Sequence, residues 1–170
     1  MKNIFVDGYN VINSWSELNK IKEYSYESSR NKLIEILSNY AVYRNYRVFI
    51  IFDAHMVIGS IEKKERVNNN VMVVFTKEGE TADSFIERTV NDIGRSVEVC
   101  VVTSDSLEQQ VIFGRGAIRM SSIEFYKEVQ STRVNIQKRI HKGYSKKKFE
   151  LKDSIDTDIL EKLEKIRRSE

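Results

Sequence analysis

The chain has 170 residues, 41% of them hydrophobic, the size and composition of one ordinary globular domain rather than of a disordered or fibrous protein. No window holds the roughly 20 apolar residues that cross a bilayer, and the opening MKNIFVDGYN reaches an aspartate too early for a signal peptide, so a cytoplasmic protein with no membrane partner is expected. The net charge of +3 is unevenly spread: residues 1–125 carry 15 Lys and Arg against 17 Asp and Glu, whereas residues 126–170 carry 13 against 8.

That asymmetry divides the chain into an expected core, 1–125, and a basic helical extension, 126–170, packed on the same domain. It fits an acidic metal-binding pocket beside a phosphate-attracting arm, and it fits a solvated basic helix equally well. The first short apolar run, residues 4–6, reads as a buried strand. Tyr26–Arg44 has helical spacing, with Leu33, Leu37 and Tyr40 on one face. Residues 48–52 and Val71–Phe75 are again continuous apolar runs, the pattern of strands covered on both faces. A helix over 82–94 follows, with Thr81 as its N-cap and Gly94 closing it. Residues 97–102 form another strand, in which Cys100 reads as a small buried hydrophobe. A lone cysteine excludes an internal disulfide and a Cys-based zinc site. A short helix over 107–113, a longer one over 121–140 and a last one carrying Ile155, Ile159, Leu163 and Ile166 complete the chain. Alternating strands and helices predict an α/β fold, a three-layer α/β/α sandwich with a mostly parallel central sheet, plus C-terminal helices.

In such sheets ligands bind beyond the carboxyl ends of the strands. Aspartates follow the apolar runs there: Asp7 after the first, Asp53 after the second and Asp105 shortly after residue 102. Asp83 stands in the first turn of the helix after the Val71–Phe75 strand. Carboxylates gathered without basic neighbours repel one another, and a divalent cation relieves the conflict. With oxygen ligands only, Mg2+ or Mn2+ is the expected ion, held by Asp7, Asp53, Asp83 and Asp105. An aspartate taken singly is more often a turn or cap residue than a ligand, four on one edge of a sheet reverse that balance, and Asp83 suits a helix dipole with no metal. In the DGYN motif Gly8 allows a tight turn, Asn10 offers a carboxamide to a phosphate, water or aspartate, and Tyr9 either stacks on a base or packs under the loop.

The segments VDGYNVI at 6–12, VFIIFDAH at 48–55, VVFTKEGETADSFIE at 73–87, VTSD at 102–105 and IFGRGA at 112–117 resemble the YacP-like branch of the NYN family, related to the PIN-domain and flap nucleases. The resemblance spans nearly the whole chain and implies a PIN-like fold. It further implies a metal-dependent endoribonuclease with Asp7, Asn10, Asp53, Asp83 and Asp105 as catalytic residues. Members are similar to ribosome-associated enzymes of mRNA decay, so mRNA and the ribosome are the implied partners.

Holding a polyanion beside an acidic pocket requires cations. Lys63, Lys64 and Arg66 form one candidate RNA-binding cluster, and Lys142, Lys146, Lys147 and Lys148 form the other; either is also readable as a solubilising surface. Glu80 reads as a solvated loop residue. His55 and His141, the two histidines, make an acid–base pair of small weight. The competing class is a non-catalytic RNA- or ribosome-binding module. Aspartyl-phosphate chemistry is weaker, for DGYN lacks a DxD motif, and a dinucleotide enzyme weaker still, for no GxGxxG follows the first strand.

Overall fold

The computed structural model describes residues 1–54, 59–94, 97–103 and 117–154, with side chains described as far as 141 in the last stretch. Contacts divide the chain into two compact units, Met1–Thr132 and Arg133–Glu170. Unit one is built on six strands, β1 Asn3–Asp7, β2 Arg47–Phe52, β3 Lys63–Arg66, β4 Val71–Phe75, β5 Val99–Val102 and β6 Ile118–Met120. They lie in the order β3-β4-β2-β1-β5-β6, all parallel except β3, which runs against β4. The helices are α1 Gly8–Ser14, α2 Ser16–Lys22, α3 Tyr26–Arg44, α4 Ala82–Ile93 and α5 Ser122–Ser154.

Period-two alternation sorts the strand residues between two cores. Ile4, Val6, Val48, Ile50, Phe52, Val71, Val73, Cys100 and Val102 point to one face, where α1, α2, α3 and the first turns of α5 cover them with Ile12, Trp15, Leu18, Leu37 and Phe125. Phe5, Ile51, Val74, Val99 and Val101 point to the other, covered by Phe85, Ile86 and Val90 of α4. Burying each such Leu, Ile, Val or Phe contributes about 1.5–3 kcal/mol. The expected α/β/α sandwich with a mostly parallel, PIN-like sheet is what the chain forms.

The order in which strands are added reverses at β1. α1 to α3 carry the chain to β2 on one side, and α4 carries it from β4 back across to β5 on the other. The crevice of such a sheet opens beside that strand's carboxyl end, where Asp7 stands.

Several elements depart from the expected map, among them the edge strands β3 and β6, to which no strand was assigned from sequence. Residues 8–22, given no element from sequence beyond a turn at Gly8, form α1 and α2: Val11, Ile12, Trp15 and Leu18 recur at helical spacing and are all buried. Gly8 does not serve a turn, for it opens α1, and an added Cβ would stand 2.4 and 2.6 Å from Phe52 ring carbons. The helix expected to stop at residue 140 continues through Gly143 to Ser154. A mid-helix glycine costs only about 1 kcal/mol against alanine, and its Lys, Glu and Gln neighbours favour helix. The expected helix at 107–113 and the apolar face of 155–166 lie outside the described residues. The N-cap at Thr81, which accepts from Ser84 N, and the closing Gly94 at φ 70° are as expected. Among the described residues no helix is long and apolar enough to cross a membrane.

Candidate metal centre

Asp7 ends β1 and caps α1, its Oδ1 accepting the Asn10 backbone N–H at 3.0 Å. Burial pushes its carboxyl up to about 6 from the usual 3.8, and the charges of Asp83 and Asp53 push the same way; the amide donors of Asn10 and Tyr9 oppose them. Three of the four expected carboxylates are therefore brought into one electrostatic neighbourhood at the carboxyl edge of the sheet. Asp53 leaves β2 directly, and its loop is tied down where Ala54 N donates to the buried Thr76 Oγ1 at 2.9 Å. Asp83 stands in the first turn of α4, where the helix dipole favours an anion, yet its buried Oδ1 has no hydrogen-bond partner among the described residues. Asp105 lies outside the described residues, and so does His55.

Asn10 is fixed from far along the chain. Ser122 Oγ donates to Asn10 Oδ1 at 2.5 Å, and Trp15 Nε1 donates to the Ser122 carbonyl at 2.9 Å. With its oxygen engaged, the Asn10 carboxamide keeps its NH2 end for donation. Ser122 itself is positioned by a capping box, Ser121 Oγ accepting from Glu124 N and Glu124 Oε2 accepting from Ser121 N at 2.8 Å. Tyr9 packs against Phe52 and Tyr26 with its hydroxyl receiving a bond from Arg30, which decides its role for packing.

Glu80 is buried rather than solvated, a correction to the sequence reading. Its Oε1 accepts from Arg88 Nη2 at 2.9 Å and Nε at 3.1 Å, and Arg88 also reaches Glu62 at 3.1 Å. An arginine eight residues on, two turns along α4, supplies the pairing that burial requires. The 63–66 cluster is an edge strand. Lys63 pairs with Glu65 and Lys64 with Glu62, and the charged side chains guard the edge of the sheet. Antiparallel register sets Lys63 opposite Phe75, at the carboxyl end of β4, and Arg66 opposite Met72, toward the other end. Lys142, Lys146, Lys147 and Lys148 fall on the C-terminal half of α5, where only the backbone is described.

Nothing local in sequence announced Ser122, Thr76 or Arg88. The SxxE spacing of 121–124 would have marked the start of α5, but not what its second residue touches.

Among the described residues no three His, Cys, Asp or Glu side chains enclose an ion by themselves. The donor set nevertheless fits a hard divalent cation. Mg2+ binds through one or two carboxylates with water completing the shell, and here a carboxyl with raised proton affinity faces two more acids, one with a buried, unpartnered oxygen.

A parallel sheet with acids gathered at its carboxyl edge beside the switch point defines a PIN-like domain of the nuclease-like kind. Residues 4–168 match the model of the YacP-like NYN domain. The chain belongs to that family. Over 168 residues it is 40% identical to the uncharacterized protein YacP of Bacillus subtilis, spanning 98% of this chain and 97% of the relative. The crystal structure of Rae1 (YacP) from Bacillus subtilis is similar at a TM-score of 0.74 with 39% identity, covering 99% of this chain and 95% of that one. A crystal structure of a mutant of that same relative gives a TM-score of 0.73 and 38% identity over 85% of each chain.

Proposed function

We propose that this protein is a metal-dependent endoribonuclease that hydrolyses mRNA phosphodiester bonds in the cytoplasm, in association with the translating ribosome. The observation that carries the chemistry is the convergence of Asp53 and Asp83 on a part-buried Asp7 whose carboxyl is pushed up to about 6. Family membership supports the nuclease class, and the ribosome follows from the resemblance to ribosome-associated members.

Asp7, Asp53 and Asp83 would hold Mg2+ or Mn2+, with Asp105 as the fourth ligand. The ion when bound supplies Lewis acidity at phosphorus and lowers the pKa of an attacking water. The chain's own residues do the rest. Asp83 Oδ1, buried and lacking a protein donor among the described residues, is available to orient a water or an ion-bound ligand. Asn10, its oxygen anchored by Ser122, presents an N–H donor to a phosphate oxygen. The α1 cap holds Asp7 at the crevice through its bond to Asn10 N. Lys63, Lys64 and Arg66 or the lysines of α5 supply phosphate attraction, and the 126–170 extension is the arm that carries the latter.

The test is cleavage of mRNA on translating ribosomes with Mg2+ or Mn2+ by wild type, Asp7→Asn and Asp83→Asn. Metal-dependent cutting by wild type and loss of about 100-fold or more in each variant is expected. Equal cutting by all three overturns the reading. Binding without any cutting by wild type makes the chain a non-catalytic RNA- or ribosome-binding module.

A further inference from the structure

The acidic centre is flanked by aromatic rings that the packing of the fold uses only in part. Tyr24 is 90% exposed and Tyr26 56% exposed, both at the turn between α2 and α3. That turn lies on the same edge of the sheet as Asp7. α3 is the crossover that delivers the chain to Arg47, which pairs with Asn3 at the amino end of β1, so the opposite end of the helix, at Tyr26, lies toward the carboxyl end. Contacts complete the link. Tyr9 stands two residues after Asp7, in the first turn of α1 that Asp7 caps, and the Tyr9 ring meets Tyr26 edge-on with centroids 6.2 Å apart.

The patch also carries cations. Lys22 Nζ stands 5.9 Å from the centre of the Tyr26 ring and is steadied by Asn13 Oδ1 at 2.7 Å, while Arg30 Nη1 holds the Tyr9 hydroxyl at 3.0 Å. Exposed Glu23 and Glu27 stand beside them, so the surface is not simply basic. What distinguishes it is π-surface beside positive charge. An unpaired base fits that chemistry: every base offers a π-face, and a guanidinium or ammonium nearby meets its phosphate. A duplex does not fit, since its bases are already covered by their neighbours.

We propose that Tyr26, with Tyr24 beside it, is a stacking platform that holds an unpaired base of single-stranded RNA next to the bond cut at the acidic centre. The proposal rests on the ribonuclease reading above. It assigns the grip on the unpaired strand to this tyrosine surface, with stacking rather than charge as the contact that holds the base.

The experiment measures binding of a fluorescein-labelled single-stranded oligouridylate by anisotropy, in the Asp7→Asn background so that the RNA stays intact. Replacing Tyr26 by alanine weakens binding roughly five- to fifty-fold. Tyr26→Phe, which keeps the ring, restores the affinity lost, and Tyr24→Ala weakens it further in combination. Affinity for a duplex of equal length is the same whether or not Tyr26→Ala is introduced. Light-induced crosslinking of 5-bromouridine-substituted oligouridylate to Asp7→Asn protein should mark the peptide that contains Tyr24 and Tyr26, a readout independent of any change at those residues. Unchanged affinity in Tyr26→Ala, or crosslinks confined to other peptides, overturns the platform while leaving the nuclease reading intact. Absence of both RNA binding and RNA cleavage in wild type overturns that reading and the platform with it.

Discussion

Ser122 Oγ donates to Asn10 Oδ1 at 2.5 Å, joining the first turn of α1 to the first turn of α5 across 112 positions of sequence. The bond engages the Asn10 side-chain oxygen and leaves the NH2 end as the group able to donate. Ser122→Ala removes it and leaves a partly buried carbonyl oxygen unmatched, at a cost of about 1–2 kcal/mol in urea unfolding. If Asn10 donates to the scissile phosphate, kcat falls about tenfold with KM little changed. A pure loss of stability with full turnover would show that Asn10 works without this brace.

Gly8 opens α1 against Phe52. Because a Cβ there would meet the ring at 2.4 Å, Gly8→Ala forces the ring or the helix to move, destabilising by about 1–3 kcal/mol. Phe52→Leu in the same chain relieves part of the overlap, so the double variant should be more stable than the sum of the single changes predicts. Thermal unfolding of the four proteins measures the coupling.

Asp7 holds its proton more tightly in the folded chain than in the unfolded one, up to about 6 against 3.8. Its contribution to stability is therefore full below about pH 3.8, falls as pH rises toward 6 and stays low above. Metal-free Asp7→Asn keeps the helix cap, since Asn caps as well as Asp, and gains about 2–3 kcal/mol over wild type at about pH 8. Near the acid end, at about pH 3.5, the gain vanishes. Urea unfolding in EDTA at the two pH values checks this, and a variant no more stable at high pH would remove the electrostatic strain from Asp7.

Arg88 supplies the partner that lets Glu80 be buried. Arg88→Met leaves that carboxylate without its cation and costs about 1–2 kcal/mol, a figure reduced for the half-exposed guanidinium. Adding Glu80→Gln to Arg88→Met should recover part of the loss. Failure of the second change to recover any stability in chemical unfolding would contradict the pairing.

The sheet and its two faces were legible because continuous apolar runs such as 48–52 have few other uses, and Tyr26–Arg44 sets Leu33, Leu37 and Tyr40 at helical spacing, all of them buried. α1 was hidden by its own motif: DGYN suggests a loop, and the helix signal lies in Val11, Ile12 and Trp15 beyond it. β3 was hidden because an edge strand of four charged residues has no apolar face to display. At the centre, aspartates after strands could be named from position alone. The buried Glu80 could not, since its burial depends on Arg88 along α4, and Ser122 could not, since only the folded chain brings it to Asn10.

The most direct measurement of the central claim is the anomalous scattering of Mn2+ in crystals of the wild-type protein. A peak is expected at the carboxyl edge of the sheet, liganded directly or through water by Asp7 and Asp83 Oδ1 and lost in Asp7→Asn. Crystals saturated with Mn2+ that show no peak among Asp7, Asp53 and Asp83 would contradict it.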